Sequence, residues 1–481
     1  MRSRTIRINP DLVWISALGV LALVAAVVLS RQNPVMVVFI PAALIVACLF
    51  LTNDELCLAA MIMVLPLAAS VLMATQFIPV PGARINNLLF LLLLAGFLLN
   101  RKLDFTGMQL AVFFYAGSLL FLITAIVRTE HVAGYAVEFW MESYDPVKFF
   151  LSHGLIPMLT TIPFLMIISR IRTQEEIQRV VHYVALSVGL FAAVIIGIYF
   201  IAVPFGSDFF TTREIIGQYL GMHGNNLADF IIVGFPLILS LALVSRGVYK
   251  KWLYLAVFMA LIAVAIIYSR MAYGVILVSI IAVMVITRQH KKMIPLFILL
   301  VLIIIIVPGV AERALTGLAE GEMDLITAGR TDRIWRPILG EWWERAASEP
   351  LKVIFGYGRY GIIDLQVFKN HRMFLTNHAH NMFLDTLVDT GVAGLLFYLS
   401  FIGYVVVRLG KALLRRLKSG NAVEIHLAAG IFVAILGFIA RGMTDSVLLP
   451  HLTNSYFYIV MALSFVLLRQ EKLVREEGGR A

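Results

Sequence analysis

The sequence predicts an all-α integral membrane protein whose helices cross a bilayer many times. Of its 481 residues, 60% are hydrophobic and only 14% are charged, and the mean hydropathy is +0.91. Soluble domains carry about a quarter charged residues, so this composition excludes an ordinary soluble fold. The apolar runs are long enough to span as helices, and the alternating pattern of a transmembrane β-barrel is absent from the sequence.

The apolar runs predict about 14 transmembrane helices, within a range of 12–14. Their approximate limits are 13–30, 35–52, 57–74, 87–99, 109–127, 151–169, 179–203, 226–245, 252–268, 271–287, 293–310, 389–407, 424–440 and 453–468. The first run follows the basic segment MRSRTIR and is longer than a typical signal-peptide core. We therefore interpret it as a retained first span.

Basic residues predict the orientation, because short cytoplasmic loops collect Lys and Arg. The strongly basic short segments, from the amino terminus to the tail after Arg469, all fall on the same predicted side. Both termini are therefore expected in the cytoplasm. The prediction divides the chain into N-terminal helices at 1–204, core helices at 205–310, a long periplasmic loop at 311–388 and C-terminal helices at 389–481.

The long loop is expected to carry short helices. Its segment Arg333–Ala347 mixes Trp, Ile and Leu with Arg and Glu, which is typical of an amphipathic helix at the outer leaflet or at the mouth of the bundle. Gly356–Gly361 matches G-x-G-x-x-G by letter, but it follows no predicted strand, so we reject a dinucleotide site. The sequence has no H-E-x-x-H, CxxC pair or P-loop, and we predict no metal and no cofactor.

Polar residues of a few types gather at the predicted outer ends of spans. They are Arg213, Asn225, Asn226, Arg270, Arg330, Arg333, His378, His380, Asn381 and Asp385. Arginine binds phosphate oxygens by a bidentate fork and keeps its charge. A histidine near its ordinary pKa can take a proton from a hydroxyl group. This combination suits a phosphate-bearing lipid as ligand, with the lipid bilayer as surroundings and no nucleic-acid partner.

Each of these residues also has a purely structural interpretation. Asn226 and Asn381 could cap helices, and Asp385 could face water or orient the imidazole of His380. Arg270 could reach lipid headgroups, and Arg330 and Arg333 could pair with nearby carboxylates. The local chemistry alone does not separate these readings.

Several segments together resemble the O-antigen ligase/polymerase superfamily of bacterial membrane proteins. They are GNNLADFIIVGFPLILSLAL (224–243), YSRMAYGVILV (268–278), GRTDRIW (329–335), EPLKVIFGYG (349–358) and AHNMFLDTLVDTGVAGLLFYL (379–399), with ARINNLLFLLLL (83–94) as an early helix. Each motif is weak by itself. Their common order over roughly residues 205–400 is fairly specific.

The resemblance implies a metal-independent glycosyltransferase-like bundle in the bacterial inner membrane. It would transfer a glycan from an undecaprenyl-diphosphate-linked donor to an acceptor at the periplasmic face. His380 would be the base, and Arg213 and Arg270 would bind the diphosphate, together with Arg330 or Arg333. Asn226, His378, Asn381 and Asp385 would support them.

The acceptor stays open at this stage. A glycolipid acceptor would make the protein an O-antigen ligase, another repeat unit would make it a polymerase, and a protein side chain would make it an O-oligosaccharyltransferase. An exporter of lipid-linked glycans without chemistry is the alternative from another class, but it predicts an internal repeat and a polar path through the spans. A non-catalytic scaffold would tolerate the loss of His380.

Overall fold

The computed structural model describes residues 53–75, 84–130, 146–307, 309–315, 329–367, 378–419, 421–445 and 447–478, and these residues form helices and connecting turns. The predicted spans at 13–30 and 35–52 lie outside the described residues. The helices are α1 (Asp54–Val64), α2 (Val71–Ala74), α3 (Ile85–Asn100), α4 (Gln109–Val127), α5 (Pro146–Arg170), α6 (Gln174–Ala202), α7 (Phe209–Leu220), α8 (Gly224–Val244), α9 (Gly247–Ile267), α10 (Arg270–Ile286), α11 (His290–Ile306), α12 (Val310–Leu315), α13 (Arg336–Glu344), α14 (Pro350–Phe355), α15 (Met382–Ser419), α16 (Ala422–Gly442) and α17 (Ser455–Gly478).

Among the described residues, eight helical segments are long and apolar enough to cross a membrane. These are α4, α5, α6, α8, α9, α15, α16 and the segment Leu452–Leu473 that includes most of α17, and two shorter apolar helices are α3 and α10. The all-α membrane class is therefore confirmed. The count of 14 spans is not established by these helices, because part of the amino-terminal region is not described.

Helix α8 lies at the centre of the bundle. It packs against α6, α9 and α16, and nearly all of its side chains are buried. A helix that is apolar on every face is expected in such a central position. Glycines allow close approach to it, since a Cβ on Gly430 would lie 2.7 Å from Ser240 Oγ.

Two separate sets of polar contacts lie at opposite ends of the helices. At one end, Arg170 pairs with Asp54 and Glu55, each at 2.9 Å. Arg172 contacts Asp104 at 3.2 Å at the same end, as the predicted grouping of the basic loops requires. At the other end, Asn225 forms hydrogen bonds with Arg213 and Asp445, at 3.0 and 2.9 Å.

The long loop has its own small hydrophobic core against the first turns of α15. Ile338 and Trp342 of α13 are buried there, while Trp343 is 74% exposed. The predicted short amphipathic helix is therefore present, with one face on the protein and Trp343 directed outward.

The G-x-G-x-x-G segment is a packing element. A Cβ on Gly356 would lie 2.2 Å from the carbonyl oxygen of Asp389, and one on Gly358 would lie 2.9 Å from that of Ala125. Beside them, Arg359 donates a 3.0 Å hydrogen bond to buried Asp389. The two glycines join the loop to α4 and α15, which agrees with rejecting a nucleotide site.

Candidate functional site

Asp445 is the carboxylate around which the site is built. It is buried in the turn after α16, and its Oδ1 lies 3.4 Å from His378 Nε2 and 3.5 Å from His380 Nδ1. Its Oδ2 accepts a 2.9 Å hydrogen bond from the side-chain amide of Asn225. Asp445 thereby connects the long loop, the start of α8 and the turn after α16.

A buried arginine keeps Asp445 ionised. Nη2 of Arg441 lies 3.3 Å from Asp445 Oδ2, and its Nε donates a 2.7 Å hydrogen bond to Asp229. Buried charges persist when they are paired in this way. Burial alone would raise the pKa of Asp445, but the charge of Arg441 and the hydrogen bonds of the two histidines hold that pKa well below its usual value.

The backbone of the histidine loop (residues 378–381) is fixed at the start of α15. The side chain of Asn381 accepts the N–H groups of Phe383 and Leu384, at 3.0 and 3.2 Å. Asn381 therefore caps α15, which is its structural interpretation from the sequence. His380 adopts a left-handed φ of 53°, which costs about 1–2 kcal/mol in a residue with a Cβ. The surrounding contacts hold it in that conformation.

Two further contacts hold the same loop between the histidines. Asp385 is buried, and its Oδ1 accepts the N–H of Ala379 at 2.6 Å. The indole N–H of Trp335 donates a 2.9 Å hydrogen bond to the carbonyl of Ala379. Asp385 therefore stabilises the backbone of the loop. It does not face water, so that interpretation of the sequence is wrong.

The two imidazoles lie side by side, but their pKa values shift in opposite directions. Their ring centroids are 4.1 Å apart, and the side chains of His378 and His380 are 32% and 23% exposed. Burial lowers the pKa of His380 to about 4, despite its hydrogen bond to Asp445. Burial acts on His378 as well, but its hydrogen bond to Asp445 and the charge of that residue outweigh it and raise its pKa. His380 is therefore a neutral proton acceptor at neutral pH.

Arg213 reaches this cluster from α7. Its Nη2 donates a 3.0 Å hydrogen bond to Asn225 Oδ1 and lies 3.5 Å from His223 Nε2. Because Asn225 also donates to Asp445, one amide links the guanidinium to the carboxylate. Burial, and next the positive charge of Arg313, lowers the pKa of Arg213 to about 10, so Arg213 stays charged at neutral pH.

Arg330 reaches the cluster from the long loop. Its Nη1 donates a 2.6 Å hydrogen bond to the carbonyl of Thr444, which precedes Asp445. Burial lowers the pKa of Arg330; the charge of Asp445 opposes this effect, whereas Arg270 and Arg313 add to it. The charges of Arg270 and Arg313 therefore act on Arg330.

Arg270 begins α10 at a sharp corner between two helices. Tyr268 ends α9 with a left-handed φ of 55°, and buried Ser269 precedes the new helix. The charge of Arg270 lowers the pKa of Arg313, after the effect of burial. The positive charges of Arg270 and Arg313 repel one another, and an anionic ligand would relieve that repulsion.

The sequence left open whether Arg330 or Arg333 belongs to the site. Arg330 contacts the turn that holds Asp445, whereas Arg333 is exposed. Asn225 rather than its predicted neighbour Asn226 makes the contacts with Arg213 and Asp445. The geometry therefore favours Arg330 and Asn225.

Sequence reasoning missed Asp445, Arg441 and Arg313. A signal was present for the first two, because an Arg and an Asp four residues apart stand in a short outer turn between two apolar runs. Arg313 lies directly after a predicted span, where a single charge is common and carries little information.

The side chains of His378, His380 and Asp445 could hold a metal ion, since one potential ligand atom from each lies within 4.8 Å of the others. Two imidazoles and a carboxylate are a chemically reasonable set of ligands. However, Arg441 already contacts the carboxylate, and Arg330 adds positive charge nearby. These charges disfavour a divalent cation and favour an anion.

The fold and the site define a multi-pass α-helical membrane protein with a cluster of arginines and histidines at one end of its bundle. Residues 255–399 match a protein-family model described as O-antigen ligase. This match supports the O-antigen ligase/polymerase superfamily and hence a function of the ligase or polymerase type. The matched segment includes Arg270, Arg330, His378 and His380, whereas Arg213 and Asp445 lie outside it. No curated protein matches the chain significantly.

Proposed function

We propose that this protein transfers a glycan from an undecaprenyl-diphosphate-linked donor to an acceptor at the periplasmic face of the bacterial inner membrane. The proposal includes cytoplasmic termini and an active site at the end of the bundle that carries Asp445. The family match supports a glycan ligase or polymerase, and the site chemistry supports a donor with a diphosphate group.

The main supporting observation is the cluster around Asp445. The histidine loop, the start of α8 and the turn after α16 are far apart in the chain, yet all three contact this carboxylate. Arg330 contacts the same turn, and Arg213 joins through Asn225. A proton acceptor beside several arginines is what transfer from a sugar diphosphate requires.

In the proposed reaction, the acceptor oxygen forms a new bond to the anomeric carbon while the bond from that carbon to the diphosphate oxygen breaks. The acceptor proton passes to Nε2 of neutral His380, since its Nδ1 faces Asp445. Arg213, Arg270 and Arg330 stabilise the negative charge that develops on the leaving diphosphate. Asp445 is a positioning residue, because it acts through the imidazole.

The central test supplies purified protein with an undecaprenyl-diphosphate glycan and, separately, a glycolipid, a second repeat unit and a peptide. We expect one acceptor to be glycosylated, and the product identifies the protein as a ligase, a polymerase or an O-oligosaccharyltransferase. His380→Ala should lower the rate on the order of 10²–10⁴-fold by removing the base. The matched control is His290→Ala, which changes a histidine at the opposite end of the bundle.

A second variant tests the proposed role of the arginines. Arg270→Ala should abolish transfer while leaving membrane insertion and the unfolding temperature intact. Normal transfer by this variant would rule out its role in binding the diphosphate. No product with any acceptor, from correctly folded wild-type protein, would contradict the proposed function itself.

The positive surroundings of the possible metal ligands lead to a further prediction. Purified protein should keep its transfer activity in EDTA, because arginines, and no divalent cation, would neutralise the leaving group. The measurement is the transfer rate before and after chelation. A loss that added Mg²⁺ or Mn²⁺ restores would show that the reaction depends on a metal.

A further inference from the structure

Arg313 is a further positively charged residue of the site. The proposed reaction gives it no role. It lies on the short helix α12, and its guanidinium carbon is 4.6 Å from the ring centroid of Phe209. Phe209 precedes Arg213 by one turn of α7, which brings the two arginines close together, and the charge of Arg313 lowers the pKa of Arg213. Among the described residues, the buried Nε atoms of Arg213 and Arg313 have no hydrogen-bond acceptor.

The surroundings of Arg313 are apolar on the side away from the histidines. The ring centroids of Phe209 and Tyr268 are 6.1 Å apart. Gly309 lies just before α12, and a Cβ on it would be 3.8 Å from the ring of Tyr268. Next to Phe209, the side chain of Phe210 is 68% exposed, and Phe205 is fully exposed. Exposed aromatic side chains at the end of a membrane bundle are suited to contact with lipid.

The ends of two neighbouring helices continue this apolar surface. Phe200 near the end of α6 is 76% exposed, and Ile305 and Ile306 at the end of α11 are 70% and 72% exposed. Helix α11 leads into α12, and α6 leads into α7. Arg313 therefore lies between this exposed apolar surface and the other arginines of the site.

The side of the site that carries Asp445 is polar. There the carbonyl of Thr444 accepts from Arg330, and Asp445 faces the two imidazoles. A ligand with a long hydrocarbon chain at one end and a sugar at the other would lie with its hydrocarbon at Phe209 and its sugar at His380, because each end then meets surroundings of its own polarity.

We propose that Arg313 binds the lipid-side phosphate of the donor, so that the prenyl chain leaves between α7 and α12 while the sugar-side phosphate lies at Arg330, next to His380. This inference rests on the proposed function and gives the donor a direction within the site. It adds Arg313 to the residues that hold the diphosphate.

Two inhibitors separate the two phosphates. Undecaprenyl monophosphate carries only the lipid-side phosphate, whereas undecaprenyl diphosphate carries both. Loss of a residue at the lipid-side phosphate should weaken both inhibitors by the same factor. Loss of a residue at the sugar-side phosphate should weaken only the diphosphate.

The experiment measures inhibition of glycan transfer by each compound in the full-length protein. Arg313→Gln should raise both inhibition constants about tenfold, the loss expected for a hydrogen bond between charged groups. Arg330→Gln should raise only the constant for the diphosphate. Arg336→Gln is the matched control, because this arginine is 75% exposed and pairs with Asp332, so neither constant should change.

Three outcomes would overturn the inference. They are unchanged inhibition in Arg313→Gln, weakened inhibition by the diphosphate alone, and equal effects of Arg313→Gln and Arg336→Gln. If Arg313→Gln does not fold, as judged by its unfolding temperature, Arg313→Lys replaces it and should raise both constants about threefold, since it keeps the charge but loses the fork. A wild-type protein that transfers no glycan would instead contradict the proposed function.

Discussion

Asp445 contacts two histidines whose pKa values shift in opposite directions. Its negative charge helps His378 to hold a proton, while burial keeps His380 neutral. Neighbouring titratable groups with opposed pKa shifts are typical of sites that move protons. This makes His380, rather than His378, the expected proton acceptor.

The lowered pKa of His380 predicts the acid limb of the pH profile. His380 is neutral above its pKa of about 4 and becomes protonated, and therefore inactive as a base, as the pH falls through that value. Transfer should thus stay active through pH 6.5 and decline only near pH 4. The measurement is kcat/KM for the donor between pH 4 and pH 8. An acid limb centred near pH 6.5, the ordinary value for histidine, would contradict this prediction.

Asp445→Asn tests the positioning role of the carboxylate. The hydrogen bond and charge of Asp445 raise the pKa of His380, so their loss should move the acid limb to lower pH. Loss of the orienting partner should also lower the rate at neutral pH on the order of 10–100-fold. Asp332→Asn, at an exposed carboxylate, is the control. A variant with the wild-type rate and profile would exclude this role.

The residue types of the site could be predicted, but only part of its membership. His380 and the arginines stood out because together they suit binding of a phosphate and transfer of a proton. Asp445 was missed although Arg441 stands four residues before it, since its two histidine contacts come from distant sequence. The choice between Arg330 and Arg333 needed the contact of Arg330 with Thr444.

Among the helices, α15 shows how a glycine can determine where a loop and a span meet. Gly391 breaks the regular helix with φ 70° and ψ −171°, a conformation that is essentially restricted to glycine. At this point the helix packs against α14, and a Cβ on Gly391 would lie 2.2 Å from the carbonyl oxygen of Ile354. The sequence predicted a span starting near residue 389, whereas the helix begins at Met382 and changes direction at Gly391.

Gly391→Ala should therefore destabilise the protein. The backbone conformation alone should cost about 1–3 kcal/mol, and the contact with Ile354 adds to it. The measurement is the unfolding midpoint of the protein in detergent. Gly403→Ala is the matched control in the same helix, where an added Cβ meets nothing within 4 Å. Equal midpoints for the two variants would show that the break at Gly391 is not required.

For the whole molecule, the grouping of its charged loops predicts which end faces the cytoplasm. Asp54, Arg170 and Glu55 meet at one end, and Arg213, Asn225 and Asp445 are joined at the other. Loop charge could predict this grouping, because it depends on short-range sequence. The order of helices around α8 could not be predicted, since apolar faces carry little information about their partners.

Cysteine labelling tests the orientation of the molecule. In a variant without its two native cysteines, Glu214→Cys should react with a membrane-impermeant thiol reagent in intact cells. Lys251→Cys should react only after permeabilisation, because it lies at the other end of the bundle. Both positions are exposed. Labelling of Lys251→Cys alone in intact cells would reverse the orientation and place the proposed site in the cytoplasm.

The ion pair between Arg441 and Asp229 has a consequence for biosynthesis. The two residues are 212 positions apart, and both become buried. At 5–20 residues per second, a ribosome needs about 10–40 s to make the second residue after the first. During that interval the nascent chain must keep the carboxylate of Asp229 hydrated, protonated or shielded by an insertion factor. The bundle can therefore complete this ion pair only late in synthesis. Truncated products without Arg441 could not form it and would be targets of membrane quality control.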